Sequence, residues 1–312
     1  MQSEYSSSHF KRVKQQNIQI LYFLHILLYN FSEIKYNAPI KKNISRKKKG
    51  RNNLKKIFAW ILTLVLSMSL FTGCSKKDDG SDMSYVQKKG TLIVGVTDYE
   101  PMDYKAADGS WTGFDAEFAQ AVAAKLGVKC EFIEIDWDNK FFELESKAID
   151  CIWNGMTITD EVKLNASVTD PYVKNAQVVV LDQAKAADYA TADSVKGLKF
   201  AVEAGSAGEA ELKNLGIEDY TAVQSQSAAL MEVAAGTCDA CVIDITMANA
   251  MTGTGTGYPG LTSCLELSTE EYGIAFRKGS DLTAKVNELM ATLMTDGTLD
   301  ALAEKYALTL VK

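Results

Sequence analysis

The strongest constraint on the fold comes from residues 91–153, where short apolar runs alternate with stretches of helical spacing. Residues 91–96 form a continuous apolar run, as expected for a strand covered on both faces. A second run over 128–132 alternates, and residues 151–153 form a third, buried run. Helices are predicted between these runs. The order strand, helix, strand, helix, strand predicts a parallel sheet.

The two predicted helices have inward stripes at helical spacing. The first should end at Gly127, a C-cap, and bury Phe114, Phe118, Ala121 and Val122. The second should be capped by Asp138 and bury Phe141, Leu144 and Ala148.

Residues 177–306 continue the alternation of strands and helices. Strands are predicted over 177–181, 200–202, 241–243 and 272–276, and residues 252–263, rich in Gly and Thr, are predicted to be a loop. Ser227 is predicted to cap a helix that carries Leu230, Val233 and Ala234. Helical stripes over 286–293 and 299–306 follow.

Length and charge narrow the class of protein. A chain of 312 residues, 47% of them apolar, is longer than one core usually needs, so two lobes are expected. Of 33 basic residues 15 precede residue 78, with only 2 of the 40 acidic ones, so the remainder holds 18 basic against 38 acidic residues. A body this acidic is a poor binder of nucleic acid, because phosphates need neutralising cations.

Histidine is missing from the body of the chain. The two histidines, His9 and His25, both lie near the start. The body therefore has no imidazole base, no Ser-His-Asp triad and no histidine metal ligand. This composition argues against most hydrolases and metalloenzymes, and no metal or cofactor is expected.

The N-terminal region predicts export. A basic block over 41–56 precedes an uncharged stretch over 57–71, and Thr72-Gly73-Cys74 follows. This is the pattern of a secretory signal, and the cysteine after Thr-Gly resembles a bacterial lipobox, which makes Cys74 the candidate lipid-attachment site. The alternative is a short transmembrane anchor. A second apolar run over 18–31 is too short to span comfortably, which suggests that the true start lies downstream.

One stretch carries a family resemblance. Residues 150–172 read D-C-I-W-N-G-M-T-I-T-D-E-V-K-L-N-A-S-V-T-D-P-Y, a buried run, an Asn-Gly turn and a polar loop that opens a helix. Polar turns after parallel strands are where open α/β sheets place ligand-contacting groups. The pattern resembles the amino-acid-binding proteins of ABC importers, and the resemblance extends from about residue 90 to residue 306.

The resemblance implies the fold and the organisation of the chain. The expected fold is α/β, a two-lobed, hinged solute-binding fold of the type II periplasmic-binding-protein kind, each lobe a mostly parallel sheet flanked by helices. The expected segments are a leader with lipoprotein signal over 1–74, a tether over 75–84, lobe 1 over 85–177 and 271–312, and lobe 2 over 178–270.

The resemblance also implies a ligand site where strand ends meet in one cleft. The first lobe should contribute two aromatic residues and the turn after the third strand, and the second lobe a glycine turn and an acidic residue. The candidate ligand-binding residues are Tyr99, Trp137, Asn154, Gly155, Met156, Thr157, Glu203, Ser206, Ala207 and Asp244. Each aromatic residue, taken alone, is more consistent with a place in the core, and Trp137 more so than Tyr99; the order of the motifs favours ligand contact.

Roles can be assigned to several of these residues. Asp244 matches the acidic residue that takes the substrate's α-ammonium, and the alternative role is a helix N-cap. The turn at 205–207 opens a helix, whose free N–H groups suit a carboxylate, although Ala207 lacks the usual hydroxyl. Glu203 is hypothesised to select a cationic or hydrogen-bond-donating side chain.

One departure from the family concerns the ligand's α-carboxylate. The family has an arginine where this chain has Val162, and Lys163 points about 100° away on a helix. Either backbone N–H groups at Thr157 and Ser206 suffice, or the ligand is not an ordinary α-amino acid.

The cysteines of the body have no zinc pattern. Cys238 and Cys241 lack a second pair or a histidine, so they cannot complete a structural zinc site. Small buried residues are the favoured interpretation of Cys151 and Cys241, with a disulfide or a redox role as the alternative.

The expected function is that of an extracellular, lipid-anchored, monomeric receptor. It would close on an amino acid or related zwitterion and deliver it to an ABC permease and its ATPase. The alternative is an enzyme on the same scaffold, because relatives of the family include a dehydratase, but no acid–base pair is evident in the sequence.

Overall fold

The computed structural model describes residues 80–312, so the leader, the candidate lipid site Cys74 and residues 75–79 of the tether lie outside the described residues. The strands, in chain order, are β1 (Thr91–Val96), β2 (Tyr104–Lys105), β3 (Trp111–Thr112), β4 (Lys129–Glu134), β5 (Cys151–Ile152), β6 (Ala166–Val168), β7 (Val173–Asp182), β8 (Phe200–Glu203), β9 (Tyr220–Val223), β10 (Ala240–Asp244), β11 (Leu261–Tyr272) and β12 (Ala275–Arg277). The α-helices are α1 (Asp82–Lys89), α2 (Phe114–Leu126), α3 (Lys140–Glu145), α4 (Asp160–Asn165), α5 (Ala192–Val195), α6 (Ala207–Asn214), α7 (Gln226–Ala234), α8 (Ile245–Met251), α9 (Leu282–Thr295) and α10 (Thr298–Lys305).

Among residues 80–312, no helix combines the length and the apolar character needed to cross a lipid bilayer.

The first sheet has the strand order β4-β1-β5-β12-β6. Strand β1 pairs in parallel with β4 and with β5, as the alternating pattern of the sequence predicted. Strand β12 enters from the far end of the chain and runs antiparallel to both β5 and β6. The first sheet is therefore mixed, with a parallel half built from consecutive strand–helix units.

The second sheet has the order β11-β7-β10-β8-β9. Strands β10, β8 and β9 are parallel, whereas β7 runs antiparallel to β10 and β11. Side chains alternate along β7, so that Val178 and Val180 face one apolar cluster while Val179 and Leu181 face another. A strand covered on both faces has a mostly apolar sequence, which is why the sequence predicts a strand over residues 177–181.

Two long strands carry the chain between the sheets. The chain leaves the first sheet after β6, enters the second through β7, and returns through β11 to β12. The pair β7 and β11 runs from Val173 opposite Tyr272 to Asp182 opposite Leu261. The lobe boundaries proposed from the sequence stay a prediction.

The helix after β4 begins and ends differently from its prediction. A 3-10 turn at Trp137–Asn139 precedes α3, and the N–H of Asp138 donates to the Asp136 carboxylate at 3.3 Å, so Asp138 is not the cap of α3. Because α3 ends at residue 145, Ala148 is exposed and Ile149 is buried in its place.

The predicted helix cap at Ser227 is also wrong. Ser225 is the cap of α7, and its hydroxyl oxygen accepts the N–H of Ala228 at 3.1 Å. Ser227 lies inside α7 and donates its hydroxyl to the Asp98 carbonyl at 3.0 Å, which ties α7 to the loop after β1. Ala234, at the end of α7, is exposed.

The strand predicted over 272–276 is interrupted. Gly273 and Ile274 separate β11 from β12, and a Cβ at Gly273 would lie 2.8 Å from side-chain atoms of Ile158 and Val168. The loop predicted over 252–263 is shorter than expected, because β11 begins at Leu261.

A buried ion pair fixes the last strand of the first sheet. The Arg277 Nε atom lies 2.9 and 3.0 Å from the two carboxylate oxygens of Asp82, and Nη2 lies 3.4 Å from Asp150. The same guanidinium donates to the carbonyls of Leu144, at 3.2 Å, and Ile149, at 2.8 Å. One side chain on β12 thereby joins α1, α3 and the start of β5.

Replacement of this arginine should destabilise the protein strongly. We expect Arg277→Leu to lower the free energy of unfolding by about 3–5 kcal/mol, because it leaves the largely buried carboxylate of Asp82 without a cation partner and removes one of the two cation partners of Asp150. Urea unfolding followed by circular dichroism measures this. Lys196→Ala, which breaks an exposed pair with Asp193, is the matched control and should cost less than about 1 kcal/mol. Equal effects of the two substitutions would contradict the structural role of Arg277.

Candidate functional site

A cavity of about 500 Å³ lies where strand ends of the two sheets face each other. All ten residues predicted from the sequence to contact a ligand line it: Tyr99, Trp137, Asn154, Gly155, Met156, Thr157, Glu203, Ser206, Ala207 and Asp244. The other lining residues are Lys140, Thr159, Asp160, Glu161, Val162, Gly205, Ala210, Asn214 and Gln226. The fold thus brings the ten candidates together, and their role in binding stays a prediction.

Asp244 lies at the end of β10 and is 2% exposed. Its Oδ2 atom accepts the hydroxyls of Tyr99 at 2.7 Å and Tyr272 at 2.6 Å, and Oδ1 accepts the side-chain amide of Gln177. It occupies the N-cap position of α8, but its side chain makes no capping bond. Among residues 80–312, no lysine or arginine nitrogen lies within 4.0 Å of this carboxylate.

The electrostatics of Asp244 follow from this arrangement. Burial raises the pKa of its carboxyl, and the hydrogen bonds from Tyr272, Tyr99 and Gln177 lower it in part. A buried carboxylate held by neutral donors is a receptor for a cation, because a charge-assisted bond to an ammonium would stabilise its ionised form.

Tyr99 has a role that the sequence reasoning missed. The contact of its ring face with a ligand stays a prediction, but the side chain is buried and its hydroxyl contacts Asp244, Tyr272 and Thr246. Tyr99 therefore positions the Asp244 carboxylate. No sequence signal could have found this, because the three partners lie 145 or more residues further along the chain.

A second carboxylate joins this network from β11. Glu270 Oε1 accepts the side-chain amide of Gln177 at 2.7 Å and the hydroxyl of Thr157 at 2.7 Å. Burial, followed by the charge of Asp244, raises the pKa of Glu270 to about 7. Gln177 is thus shared between the candidate ligand-binding carboxylate and the strand that returns to the first sheet.

The Asn-Gly turn after β5 is held rigidly. Asn154 Oδ1 accepts the N–H and the hydroxyl of Thr97, at 3.0 and 2.8 Å, and its amide donates to the Thr97 carbonyl and to Asp103. Gly155 has φ +54°, and a Cβ there would lie 2.5 Å from a ring carbon of Tyr99. The turn therefore requires glycine, and the side chain of Asn154 shapes the cavity wall through its bonds within the protein.

Two acidic residues that the sequence reasoning did not single out support this turn. Asp115 accepts the N–H of Gly155 at 2.6 Å, and Asp103 accepts the amide of Asn154 at 2.8 Å. Burial raises the pKa of Asp115 to about 7, and burial together with the charge of Asp115 raises that of Asp103. Asp103 lies in a loop and Asp115 in the first turn of α2, two positions where acidic residues are usually exposed to solvent.

Glu203 lies at the end of β8, opposite this turn, and is 3% exposed. Its Oε1 atom is buried and has no hydrogen-bond partner among the described residues. Burial, followed by the charge of Asp244, raises the pKa of this carboxyl to about 8. An orphaned carboxyl oxygen in a cavity is a site for a hydrogen-bond donor from outside the chain.

The glycine turn after β8 offers fewer donors than predicted. The Ser206 hydroxyl oxygen caps α6 by accepting the N–H of Glu209 at 3.1 Å, and the Ser206 N–H donates to the Glu203 carbonyl at 3.3 Å. The N–H of Gly205 donates to the Glu209 carboxylate at 3.1 Å. Of the three residues of this turn, only Ala207, at the first position of α6, has an N–H without an acceptor among the described residues.

The wall near Trp137 is apolar. Trp137, Met156 and Val162 belong to one buried cluster on a face of the first sheet. Val162 lies in the first turn of α4, where Thr159 caps the helix, and it offers the cavity no polar group. Lys163 is exposed and does not line the cavity, so it cannot stand in for the arginine of the family.

Lys140 is a lining residue that the sequence reasoning missed. It begins α3 and is 5% exposed, although the sequence shows only a lysine two residues after Asp138. Four carboxylate residues (Asp160, Glu161, Glu203 and Asp244) and this one cation line the cavity.

The cysteines do not form a metal site or a disulfide in the described part of the chain. Cys130, Cys151, Cys238, Cys241 and Cys264 are all free thiols, and residues 80–312 hold no cluster of three or more metal-ligating side chains. Burial raises the pKa of Cys151 and Cys241 above that of an ordinary thiol, which agrees with their interpretation as small core residues.

Two mixed sheets, two connecting strands and a cavity between the strand ends define a class of protein, the type II periplasmic-binding-protein fold. Residues 92–309 match the sequence profile of the bacterial extracellular solute-binding proteins, family 3. The chain belongs to this family, whose members are amino-acid-binding components of ABC transporters.

Curated relatives agree with this assignment. The chain is 32% identical over 247 residues to the L-cystine-binding protein TcyJ of Escherichia coli, covering 78% of this chain and 92% of that one. It is 30% identical over 255 residues to the arginine-binding extracellular protein ArtP of Bacillus subtilis, covering 79% of this chain and 97% of that one. These relatives are binding proteins, and this chain is a binding protein and not an enzyme.

Solved structures show the same architecture. Holo ArgBP from T. maritima superposes with a TM-score of 0.63 at 31% identity, over 71% of this chain and 98% of that one. A histidine-bound substrate-binding protein of an ABC uptake transporter from Streptococcus pneumoniae superposes with a TM-score of 0.67 at 28% identity, over 73% and 96% of the two chains.

The raised pKa of Glu203 predicts a pH dependence of stability without ligand. The folded state binds this proton more tightly than the unfolded state, so the stabilisation is present below about pH 4.5 and is lost as pH rises towards about 8. We expect Glu203→Gln to match the wild type in melting temperature at pH 5 and to exceed it at pH 8.5. The exposed Glu218→Gln is the control. A difference between Glu203→Gln and wild type that is the same at both pH values would contradict this assignment.

Proposed function

We propose that this chain captures an amino acid in the cavity between the two sheets, with the α-ammonium of the ligand bound to Asp244. The observation that carries the proposal is the Asp244 carboxylate itself, which is buried, accepts three neutral donors and has no cation partner among the described residues. An ammonium supplies the missing positive charge and up to three N–H donors.

The side chain of the ligand is selected at Glu203 in this proposal. Its free Oε1 atom favours a cationic or hydrogen-bond-donating side chain. Relatives with names that specify arginine, lysine/arginine/ornithine and histidine support this class. L-cystine, bound by another relative, carries a second ammonium group that could fill the same position.

The aromatic and turn residues complete the site. Trp137 offers an apolar wall to the stem of the ligand, together with Met156. The turn at Asn154 and Gly155 fixes the position of Thr157, whose N–H has no acceptor among the described residues. The first turn of α6 at Ser206 and Ala207 lies on the opposite wall.

Capture is followed by closure and delivery in this proposal. The two sheets are joined by β7 and β11 and meet again at the cavity, where a Cβ at Gly205 would lie 2.8 Å from the Cα of Asp138. Bending of the two strands would open this contact to admit the ligand. The closed receptor, a monomer, then docks on an ABC permease, whose ATPase drives import.

We further propose that the protein is held at the outer face of the membrane by lipid on Cys74. The support comes from the sequence alone: a basic block, an uncharged stretch over 57–71 and a cysteine directly after Thr-Gly. A tether over 75–84 would then let the binding protein reach the permease.

Neutralisation of Asp244 tests the binding proposal. We expect Asp244→Asn to raise the Kd for the amino acid by roughly 10- to 100-fold, because one charge-assisted bond is lost. Calorimetric titration with L-arginine, L-lysine, L-histidine and L-cystine measures this. The exposed Asp219→Asn on the same half is the matched control and should bind as the wild type does. Unchanged affinity in Asp244→Asn would remove this residue from the site.

Removal of the candidate lipid site tests the anchor. In a bacterial host, the wild type should partition into the detergent phase of Triton X-114 and Cys74→Ser into the aqueous phase, because one thiol carries the lipid. Cys130→Ser, which changes a cysteine of the described body, is the control and should behave as the wild type. A Cys74→Ser protein that stays in the detergent phase would place the anchor elsewhere.

A further inference from the structure

Lys140 is a buried cation whose role the proposed function leaves open. Its Nζ atom donates to the Trp137 carbonyl at 3.1 Å and to the Gly205 carbonyl at 2.8 Å. The ammonium also lies 5.1 Å from the ring centroids of both Trp137 and Phe141. Among residues 80–312, no carboxylate oxygen lies within 4.0 Å of Nζ.

This arrangement is incomplete without a further partner. A lysine ammonium has three N–H donors, and two of them are used. A buried charge without a counter-charge is costly, and rings and carbonyls compensate only part of the lost hydration. Because Lys140 lines the cavity, its third N–H is able to donate to a ligand bound there.

The other groups of the cavity offer the carboxylate of an amino acid the free N–H groups of Thr157 and Ala207 but no positive charge. Val162 is apolar, the Ser206 N–H is bonded to the Glu203 carbonyl, and the Gly205 N–H is bonded to Glu209. The acidic residues that line the cavity repel an anion. Lys140 is the one cation among the lining residues, all of which lie in the described part of the chain.

We infer that the ammonium of Lys140 binds the α-carboxylate of the amino acid whose ammonium is held by Asp244, an inference that rests on the proposed function. Lys140 belongs to the first half of the protein, and its bond to the Gly205 carbonyl reaches the second half. One ammonium therefore contacts the ligand and both halves in the closed state. Burial lowers the pKa of Lys140, and Glu161 and Glu203 raise it in part, so a ligand carboxylate would further stabilise its charged form.

The inference predicts which ligands are rejected. A polyamine has ammonium groups for Asp244 and Glu203 but no carboxylate for Lys140. An α-amide of an amino acid keeps the ammonium and the side chain and loses only the charge that Lys140 would contact. Comparison of an amino acid with its α-amide therefore isolates this one contact.

The experiment follows the logic of a double-mutant cycle. One change is made in the protein, at Lys140, and the other in the ligand, whose α-carboxylate is converted to an amide. Wild type and Lys140→Gln are titrated calorimetrically with L-arginine, L-lysine, L-histidine and L-cystine, and then with the α-amide of the tightest binder. In the wild type, amidation should weaken binding by roughly 10- to 100-fold, the range for one charge-assisted hydrogen bond. In Lys140→Gln, acid and amide should bind within about 3-fold of each other, because the contact is already gone.

Control variants distinguish a direct contact from a purely structural role. Lys140→Arg keeps the charge and should retain the preference for the acid, whereas Lys163→Gln, an exposed neighbour of Val162, should behave as the wild type. If Lys140→Gln weakens acid and amide by the same factor, Lys140 only joins the two halves and the inference is wrong.

The wild type alone provides a test that holds even if the variants fail to fold. If it binds the amide as tightly as the acid, no residue recognises the carboxylate and the inference is overturned while the proposed function stands. If it binds none of the four amino acids, the proposed function fails, and the inference fails with it.

Discussion

The structure depends on a buried carboxylate with no cationic side chain within 4.0 Å among residues 80–312. Asp244 ends a strand of the second sheet and is held by two tyrosine hydroxyls and one amide, all of them neutral donors. Such a group is well oriented and poorly neutralised, because hydrogen bonds replace part of its hydration but do not supply positive charge. In the proposed binding mode a ligand ammonium would supply that charge, and binding and the closed arrangement would then stabilise each other.

The partners of Asp244 connect it to the strands between the sheets. Gln177 lies on β7 and Tyr272 at the end of β11, and Gln177 also donates to Glu270 on β11. A cation at Asp244 would therefore act on both strands that a hinge motion has to bend. Burial raises the pKa of three carboxyls at or near the cavity, those of Asp244, Glu203 and Glu270. In the ligand-free protein these raised pKa values make the folded state more stable at low pH than at high pH.

The sequence predicted the fold well where local pattern decides the structure. The parallel half of the first sheet follows from apolar runs separated by amphipathic helices. The cavity residues were predicted from the resemblance to the family. The pattern failed where several equivalent residues compete. Ser225 and Ser227 are both able to cap a helix, and only the path of the chain determines that Ser225 does so. Asp138 failed as a cap for the same kind of reason, because a 3-10 turn intervenes.

The features that sequence reasoning missed arise from tertiary packing. Asp103 and Asp115 look like ordinary surface acids, yet the Asn-Gly turn of β5 folds over them and removes them from solvent. Tyr99 was expected to be a platform for the ligand, which stays a prediction, and its hydroxyl also orients Asp244. Lys140 is one of many lysines in the sequence. Only the structure shows that it is buried, that it contacts the second half, and that it has no carboxylate partner among the described residues.

The most direct measurement is a crystal structure of the protein with the amino acid that it binds most tightly. The account predicts ligand density in the cavity between the sheets, with the α-nitrogen about 3 Å from a carboxylate oxygen of Asp244 and hydrogen-bonded to it. A ligand whose α-nitrogen points away from Asp244, or a ligand bound outside this cavity, would contradict the central claim.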